Sequence, residues 1–197
     1  MNTLEEREVE TMKARHAPGK LLVGLVGKAR VGKDTAAEFL QREYGMAQYA
    51  FADPLKDMLE TAFGDLFRGG DREQPIDWLG KSPRQLMQTL GTEWGRDCVH
   101  PDLWVLLAAQ AWRSLGYTRA NGMVISDVRF DNEADWIFRS GGHLIEIQRD
   151  VSGVSEHRSE KGLSSIFRLG HWVVTNDGSI EDLYSKLGDI MSVIWRP

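Results

Sequence analysis

Along this chain, short apolar runs alternate with longer stretches in which apolar side chains recur every three or four positions. Residues 21–26 (LLVGLV) are apolar without a break, the pattern of a strand buried on both faces of a sheet. A glycine-containing loop follows. Residues 35–44 (TAAEFLQREY) then carry apolar groups on one side and stop at Gly45, which predicts a helix. Residues 46–51 (MAQYAF) predict a second strand. Asp53 stands where a helix N-cap belongs, with Pro54 at the first helical position. Leu55, Met58, Leu59 and Phe63 share one face of that helix before Gly64. Residues 65–81 are rich in glycine and charge and read as a loop. Ser82-Pro83 caps another helix with Leu86, Met87, Leu90 and Trp94 on its apolar side, weakened near its end by Gly91. Pro101-Asp102 opens a further helical stretch, Leu103 to Leu115, closed by Gly116.

The pattern then becomes strand-like again. Residues 123–128 (MVISDV), 143–149 (HLIEIQR) and 171–176 (HWVVTN) predict three more strands. A helix starts at Asp131-Asn132 and stops at Gly141-Gly142. Ser179-Ile-Glu-Asp182 has the form of a capping box for a last helix with Leu183, Leu187, Ile190 and Ile194 inward. Strands alternating with helices predict an α/β fold: a five-stranded parallel sheet flanked by helices. Residues from about 54 to 116 would form an inserted helical subdomain over the carboxyl edge of the sheet. Residues 1–19 are charged and mixed and read as a loose tail ahead of one domain, 20–197.

Composition narrows the class. With 197 residues, 42% of them apolar, the chain can bury a real core. It is neither a disordered chain, a collagen-like fibre nor a disulfide mini-protein. The single cysteine, Cys98, rules out an internal disulfide and a cysteine zinc cluster, and suits a reducing cytoplasm. No apolar run approaches the roughly 20 residues of a membrane helix, and residues 1–20 lack the apolar core of a signal peptide. A net charge of −5 argues against stable nucleic-acid binding, so a bound anion must be met by locally placed basic groups. His100, His143 and His171 lie at element edges without partners at metal-ligand spacing.

The sharpest motif is Gly27-Lys-Ala-Arg30-Val-Gly32-Lys33-Asp34-Thr35, between a predicted strand and a predicted helix. That is the context of a phosphate-binding loop. Glycines let the backbone curl so that successive N–H groups point at phosphate oxygens, and the helix N-terminus adds partial positive charge. Lys33 can reach the β and γ phosphates. The usual motif has Ser or Thr directly after the lysine to hold magnesium; here Asp34 takes that place and Thr35 follows. Asp34 would then face the water shell of the metal or turn away, and Thr35 would bond the α phosphate.

Asp127-Val-Arg129 ends the third predicted strand, and ligands of open parallel sheets sit beyond the carboxyl ends of the strands. Asp127 is a candidate magnesium-shell or acceptor-binding carboxylate, and Arg129 a fork for a phosphate. Glu133, in the same corner, is a candidate ligand of a sugar hydroxyl or a base. The polar connection from Arg149 to Arg168 carries several cations and has the make-up of a lid, over about residues 150–168, that excludes water from phosphates. Trp104 follows a loop and could stack on a base.

Five separated blocks carry a family resemblance: Gly27–Thr35; Phe51-Ala-Asp-Pro-Leu-Lys56; Arg84-Gln-Leu-Met-Gln88-Thr-Leu-Gly-Thr92-Glu; Asp127-Val-Arg129 through Glu133; and Thr175-Asn-Asp-Gly178. In order and spacing the chain resembles, over about residues 20–195, the deoxynucleoside monophosphate kinases of tailed bacteriophages. The resemblance implies a P-loop kinase fold with a helical acceptor-binding subdomain and a lid. It implies transfer of phosphate from ATP, with magnesium, to deoxynucleoside monophosphates, in the cytoplasm of an infected bacterial host. By position it implies that Arg30, Gly32, Lys33, Asp34 and Thr35 hold ATP, with Asn176 and Asp177 bordering the adenine. It implies that Arg84, Gln88, Trp104, Asp127, Arg129 and Glu133 hold the monophosphate. Magnesium would be held through waters near Asp34, Thr35 and Asp127. Lys33, Arg129, Asp127 and Arg158 of the lid would serve the transferring group. Three rivals stand beside this reading: a kinase for another small phosphorylated acceptor such as phosphomevalonate, a nucleotide-dependent switch ATPase, and a DNA-binding accessory protein, which the charge disfavours. A homodimer is left open.

Overall fold

The computed structural model describes residues 19–68, 71–150 and 171–195. The expected tail, apart from Gly19, and the expected lid with Arg158, apart from Asp150, lie outside them. The chain divides into two compact units: one of residues 1–50 with 105–197, the other Phe51–Trp104.

The larger unit is built on five strands: β1 (Leu21–Val26), β2 (Met46–Tyr49), β3 (Gly122–Val128), β4 (His143–Gln148) and β5 (His171–Thr175). All four pairings are parallel, in the order β2-β3-β1-β4-β5. The strand reading of the sequence therefore holds, with β2 ending at Tyr49 instead of at residue 51. The apolar run of β1 is explained by its place: it is the central strand, with both neighbours and both faces covered. Val23 and Leu25 point into a core shared with Val124, Ile145, Ile147 and Val174 of the other strands. Helices α1 (Lys33–Tyr44) and α7 (Ile180–Ile194) close that core with Ala36, Phe39 and Leu40, and with Leu183, Leu187 and Ile190. Each buried Val, Leu, Ile or Phe of this core contributes about 1.5–3 kcal/mol.

The opposite face of β1 carries Gly24. A Cβ there would lie 2.5 Å from Ile137 Cδ1 and 2.7 Å from Leu144 Cδ2. The missing side chain lets α6 (Asp131–Arg139) settle directly on the sheet. Helix α5 (Leu103–Leu115) buries Val105, Ala108, Ala109, Trp112 and Leu115. The last helix is capped as its sequence predicts: the Asp182 N–H donates to Ser179 Oγ, and the Ser179 N–H donates to Asp182 Oδ2 at 2.9 Å. The backbone N–H of Ser179 holds the Asp182 carboxyl below its usual range. Burial lowers the His143 imidazole below its ordinary value at the start of β4. No helix among the described residues is long and apolar enough to cross a membrane.

The smaller unit is helical, and the structure corrects the sequence reading there in three places. Helix α2 (Asp53–Phe63) is capped by Ala52, not by Asp53. Ala52 already has helical dihedrals, φ −81° and ψ −9°, so the helical backbone begins one residue early, and Asp53 pairs instead with Lys56 at 2.9 Å. Residues 65–81 are not all loop: Asp65–Arg68 form a short helix, α3, and a turn is closed by pairing of Ile76 with Lys81. The third correction is the largest. Helix α4 (Pro83–Gln88) starts with the expected Ser82 cap, but the chain continues without a break as a π-helix, Thr89–Val99.

The wider turn of the π-helix has a packing cause. Gly91 and Gly95 form its buried face, while Trp94, expected inward, is half-exposed. A Cβ on Gly95 would lie 2.3 Å from Cζ2 of Trp104, so the indole lies against bare backbone. The Trp104 Nε1–H donates to the Gly91 carbonyl at 2.8 Å, and Arg96 Nη1 donates to the same oxygen at 2.9 Å. Gly95 thus serves the close approach of the indole, and Gly91 that of Leu55, whose Cδ2 would lie 2.9 Å from a Cβ there. Gly95→Ala is expected to cost about 1–3 kcal/mol, the scale of overpacking a filled core. Thermal denaturation checks this, and an unchanged midpoint would mean that the indole has room to move.

Candidate active site

The loop between β1 and α1 holds the strongest candidate chemistry. It leaves the central strand at Gly27, with φ +144°, and enters α1 at Gly32, with φ +103°. Between them Arg30 has φ +65°, the one positive φ of a non-glycine among the described residues. A left-handed backbone costs an L-residue roughly 1–2 kcal/mol, and such residues cluster where ligands are clamped. Both glycines are required by space as well as by dihedral. A Cβ on Gly27 would meet the Ile147 carbonyl oxygen at 2.4 Å, and one on Gly32 would meet Asn176 Nδ2 at 2.5 Å. The curl therefore rests on the ends of β4 and β5. It delivers the first turn of α1, with Lys33 and Thr35 half-buried and Asp34 exposed, at a helix N-terminus that favours anions.

Lys33 is turned into the loop. Its Nζ donates to the Gly27 carbonyl at 2.9 Å and to the Lys28 carbonyl at 2.7 Å. The ammonium is thus held inside the curl, where a phosphate chain would lie.

The second part of the site follows from sheet register. Val26 pairs with Val128, so Gly27 and Arg129 leave neighbouring strands side by side. Asp127 and Arg129, both half-buried, therefore stand beside the loop at the carboxyl edge of the sheet. The strand order turns at β1, with β2 and β3 to one side and β4 and β5 to the other, and open sheets bind ligands at such a point.

These features make a candidate phosphate site, and a comparison of sequences gives the family of the chain. The deoxynucleotide monophosphate kinase family matches residues 20–78 and 80–187. The chain belongs to that family. A provisionally named deoxynucleotide monophosphate kinase of Acanthamoeba polyphaga mimivirus is 36% identical, over 85% of this chain and 94% of its own length. The deoxynucleotide monophosphate kinase of Enterobacteria phage T4 is 27% identical, over 88% of this chain and 99% of its own. A solved structure of a Thermus thermophilus protein shares the fold, with a TM-score of 0.52 and 18% identity over 92% of this chain and all of that one.

Several residues of this kinase take roles that its sequence did not suggest. Glu133 was expected to hold substrate. It is buried, and its Oε2 accepts the N–H of Arg129 at 2.8 Å and of Phe130 at 3.0 Å. It is the third residue of α6 and reaches back to the residue that precedes the helix, so it fixes the backbone that presents Arg129. A glutamate three residues after a helix start was the available signal. Trp104 was expected to stack on a base. Its indole is buried against Gly95 and bonded to Gly91, so it packs the smaller unit and the stacking surface is covered. Asn176 was expected to border adenine. Its side chain is buried and donates to the Val31 carbonyl at 2.8 Å. Asp177 is exposed, 3.6 Å from Lys186 Nζ. In the smaller unit, Arg84 lies on α4 and pairs with Glu73 at 3.1 Å, and Gln88 is the last residue of that helix, half-buried. Among the described residues no group of three or more acids, histidines or cysteines could hold a metal directly.

Proposed function

We propose that this kinase transfers the γ-phosphoryl group of ATP to the phosphate of a deoxynucleoside monophosphate, giving the diphosphate and ADP. The observation that carries the reading is the curled Gly27–Gly32 loop around Lys33, beside Asp127 and Arg129, in a member of this family. Phosphoryl transfer needs positioning and charge neutralisation more than covalent chemistry. Lys33, Arg30 and the N–H groups at the start of α1 hold the phosphates of ATP, and Thr35 bonds the α phosphate. Arg129 neutralises the transferring group, joined by Arg158 of the 150–168 connection. Asp127 serves the acceptor. The acceptor oxygen is already ionised at neutral pH, so no strong base is required.

Magnesium fits this set of residues only through waters and phosphates. Asp34 and Thr35 at the start of α1 and Asp127 at the end of β3 belong to no cluster of three or more acids, histidines or cysteines among the described residues, which suits an ion that keeps most of its waters. Held there through its waters by Asp34, Thr35 and Asp127, the ion would supply positive charge that offsets the phosphates.

The deciding experiment incubates the purified chain with ATP, magnesium and, in turn, each common dNMP and NMP and phosphomevalonate, and separates the products. Formation of ADP is expected to depend on a dNMP and to match dNDP mole for mole. ADP released equally without an acceptor would mark a switch ATPase, and turnover with phosphomevalonate alone would mark the other kinase.

A further inference from the structure

Asn176 lies one residue beyond β5, yet its side chain reaches the phosphate loop at the far end of the sequence. Its backbone N–H donates to the Gln148 carbonyl at 2.7 Å, which extends the β4–β5 ladder by one step and fixes the Cα. From there Nδ2 donates to the Val31 carbonyl at 2.8 Å, in a buried setting. The same nitrogen occupies the space that a side chain on Gly32 would need. Val31 itself is buried and packs behind Gly27.

The stereochemistry of one peptide unit gives this contact its meaning. The Val31 carbonyl and the Gly32 N–H belong to the same planar trans peptide and point in opposite directions. A carbonyl tied outward to Asn176 turns the Gly32 N–H inward, toward the hollow that Lys33 also faces. We infer that Asn176 is a positioning residue of the ATP site: through Val31 it orients the Gly32 N–H toward phosphate and touches no part of the nucleotide. The inference rests on the ATP-site reading given above. It differs from the adenine-border role that the sequence resemblance implies for this residue, and the two roles separate cleanly, because one concerns phosphate and the other the base.

The test measures calorimetric binding of inorganic tripolyphosphate and of adenosine, together with steady-state kinetics, for wild type, Asn176→Ala and Asn176→Asp. Loss of one buried hydrogen bond and of one oriented donor is expected to weaken tripolyphosphate binding about tenfold in Asn176→Ala. Asn176→Asp, which sets a second acceptor against the Val31 carbonyl, is expected to lose more. KM for ATP should rise in parallel, and equally for GTP, while adenosine binding and KM for the monophosphate stay within about twofold, because neither touches the loop. A thermal melt of each variant separates loss of fold from loss of binding, and Asn176→Asp, which keeps the shape of the carboxamide, carries the test should Asn176→Ala fail to fold. Tripolyphosphate binding at wild-type strength in folded Asn176→Ala, or a loss confined to adenosine, would overturn the inference. Failure of the kinase reading looks different: wild-type chain that binds tripolyphosphate through Asn176 but phosphorylates no dNMP would overturn that reading and leave this one standing.

Discussion

Lys33→Met is expected to leave the protein folded and to remove at least about a hundredfold of kcat, the scale of one charge contact made in the transition state. The reason lies in how the ammonium is held. Two loop carbonyls already grip it at 2.7 and 2.9 Å, so it enters the reaction in place, without the entropy cost of ordering a long, free side chain. Methionine fills the same volume but brings neither charge nor donors. In the folded protein the loss includes two partly exposed hydrogen bonds from the ammonium to loop carbonyls. A steady-state assay beside a thermal melt separates the two effects. Near-normal turnover in a folded variant would remove Lys33 from the ATP site.

Glu133→Ala is expected to lower stability by about 3 kcal/mol and to damage transfer as well. Two N–H groups, of Arg129 and Phe130, lose a charged acceptor in a buried corner, and bonds to charged groups contribute about 1.5–3 kcal/mol each. The turn after β3 then loosens, and the guanidinium it presents loses its aim. Glu133→Gln keeps an oxygen at the same place and is expected to recover most of the stability and most of kcat. Urea denaturation and kinetics on both variants check this. If Glu133→Gln were as stable as wild type yet raised KM for the monophosphate sharply, Glu133 would touch substrate after all.

What the sequence made legible was whatever rests on local pattern. The strands and the α/β architecture follow from apolar runs bounded by turns, and the caps at Ser82 and Ser179 follow from the chemistry of side chains three residues apart. The phosphate loop could be read because its glycines, its lysine and its strand–helix setting are contiguous. The π-helix could not, because its cause is an indole nine residues beyond Gly95 that lies against bare backbone there and bonds to the Gly91 carbonyl. Trp104 and Glu133 were assigned to ligands for a related reason: residue type announces what a side chain can bond, and only the fold shows that backbone groups have already taken it. Asp53 missed the cap by one position because the turn ahead of it was already helical.

The bond from Asn176 to Val31 spans 145 positions of sequence, and this has a consequence for how the protein is made. On a ribosome adding about 5–20 residues per second, the loop emerges roughly 7–30 s before the residue that orients it. For most of that interval β1 also lacks its two neighbours, β3 and β4, which are translated about a hundred residues later. A nascent chain therefore carries every glycine of the loop and its lysine without the geometry that grips phosphate. On the proposed reading nucleotide stabilises the chain in full only once Asn176 is in place, so ATP acts chiefly as a ligand of the finished fold.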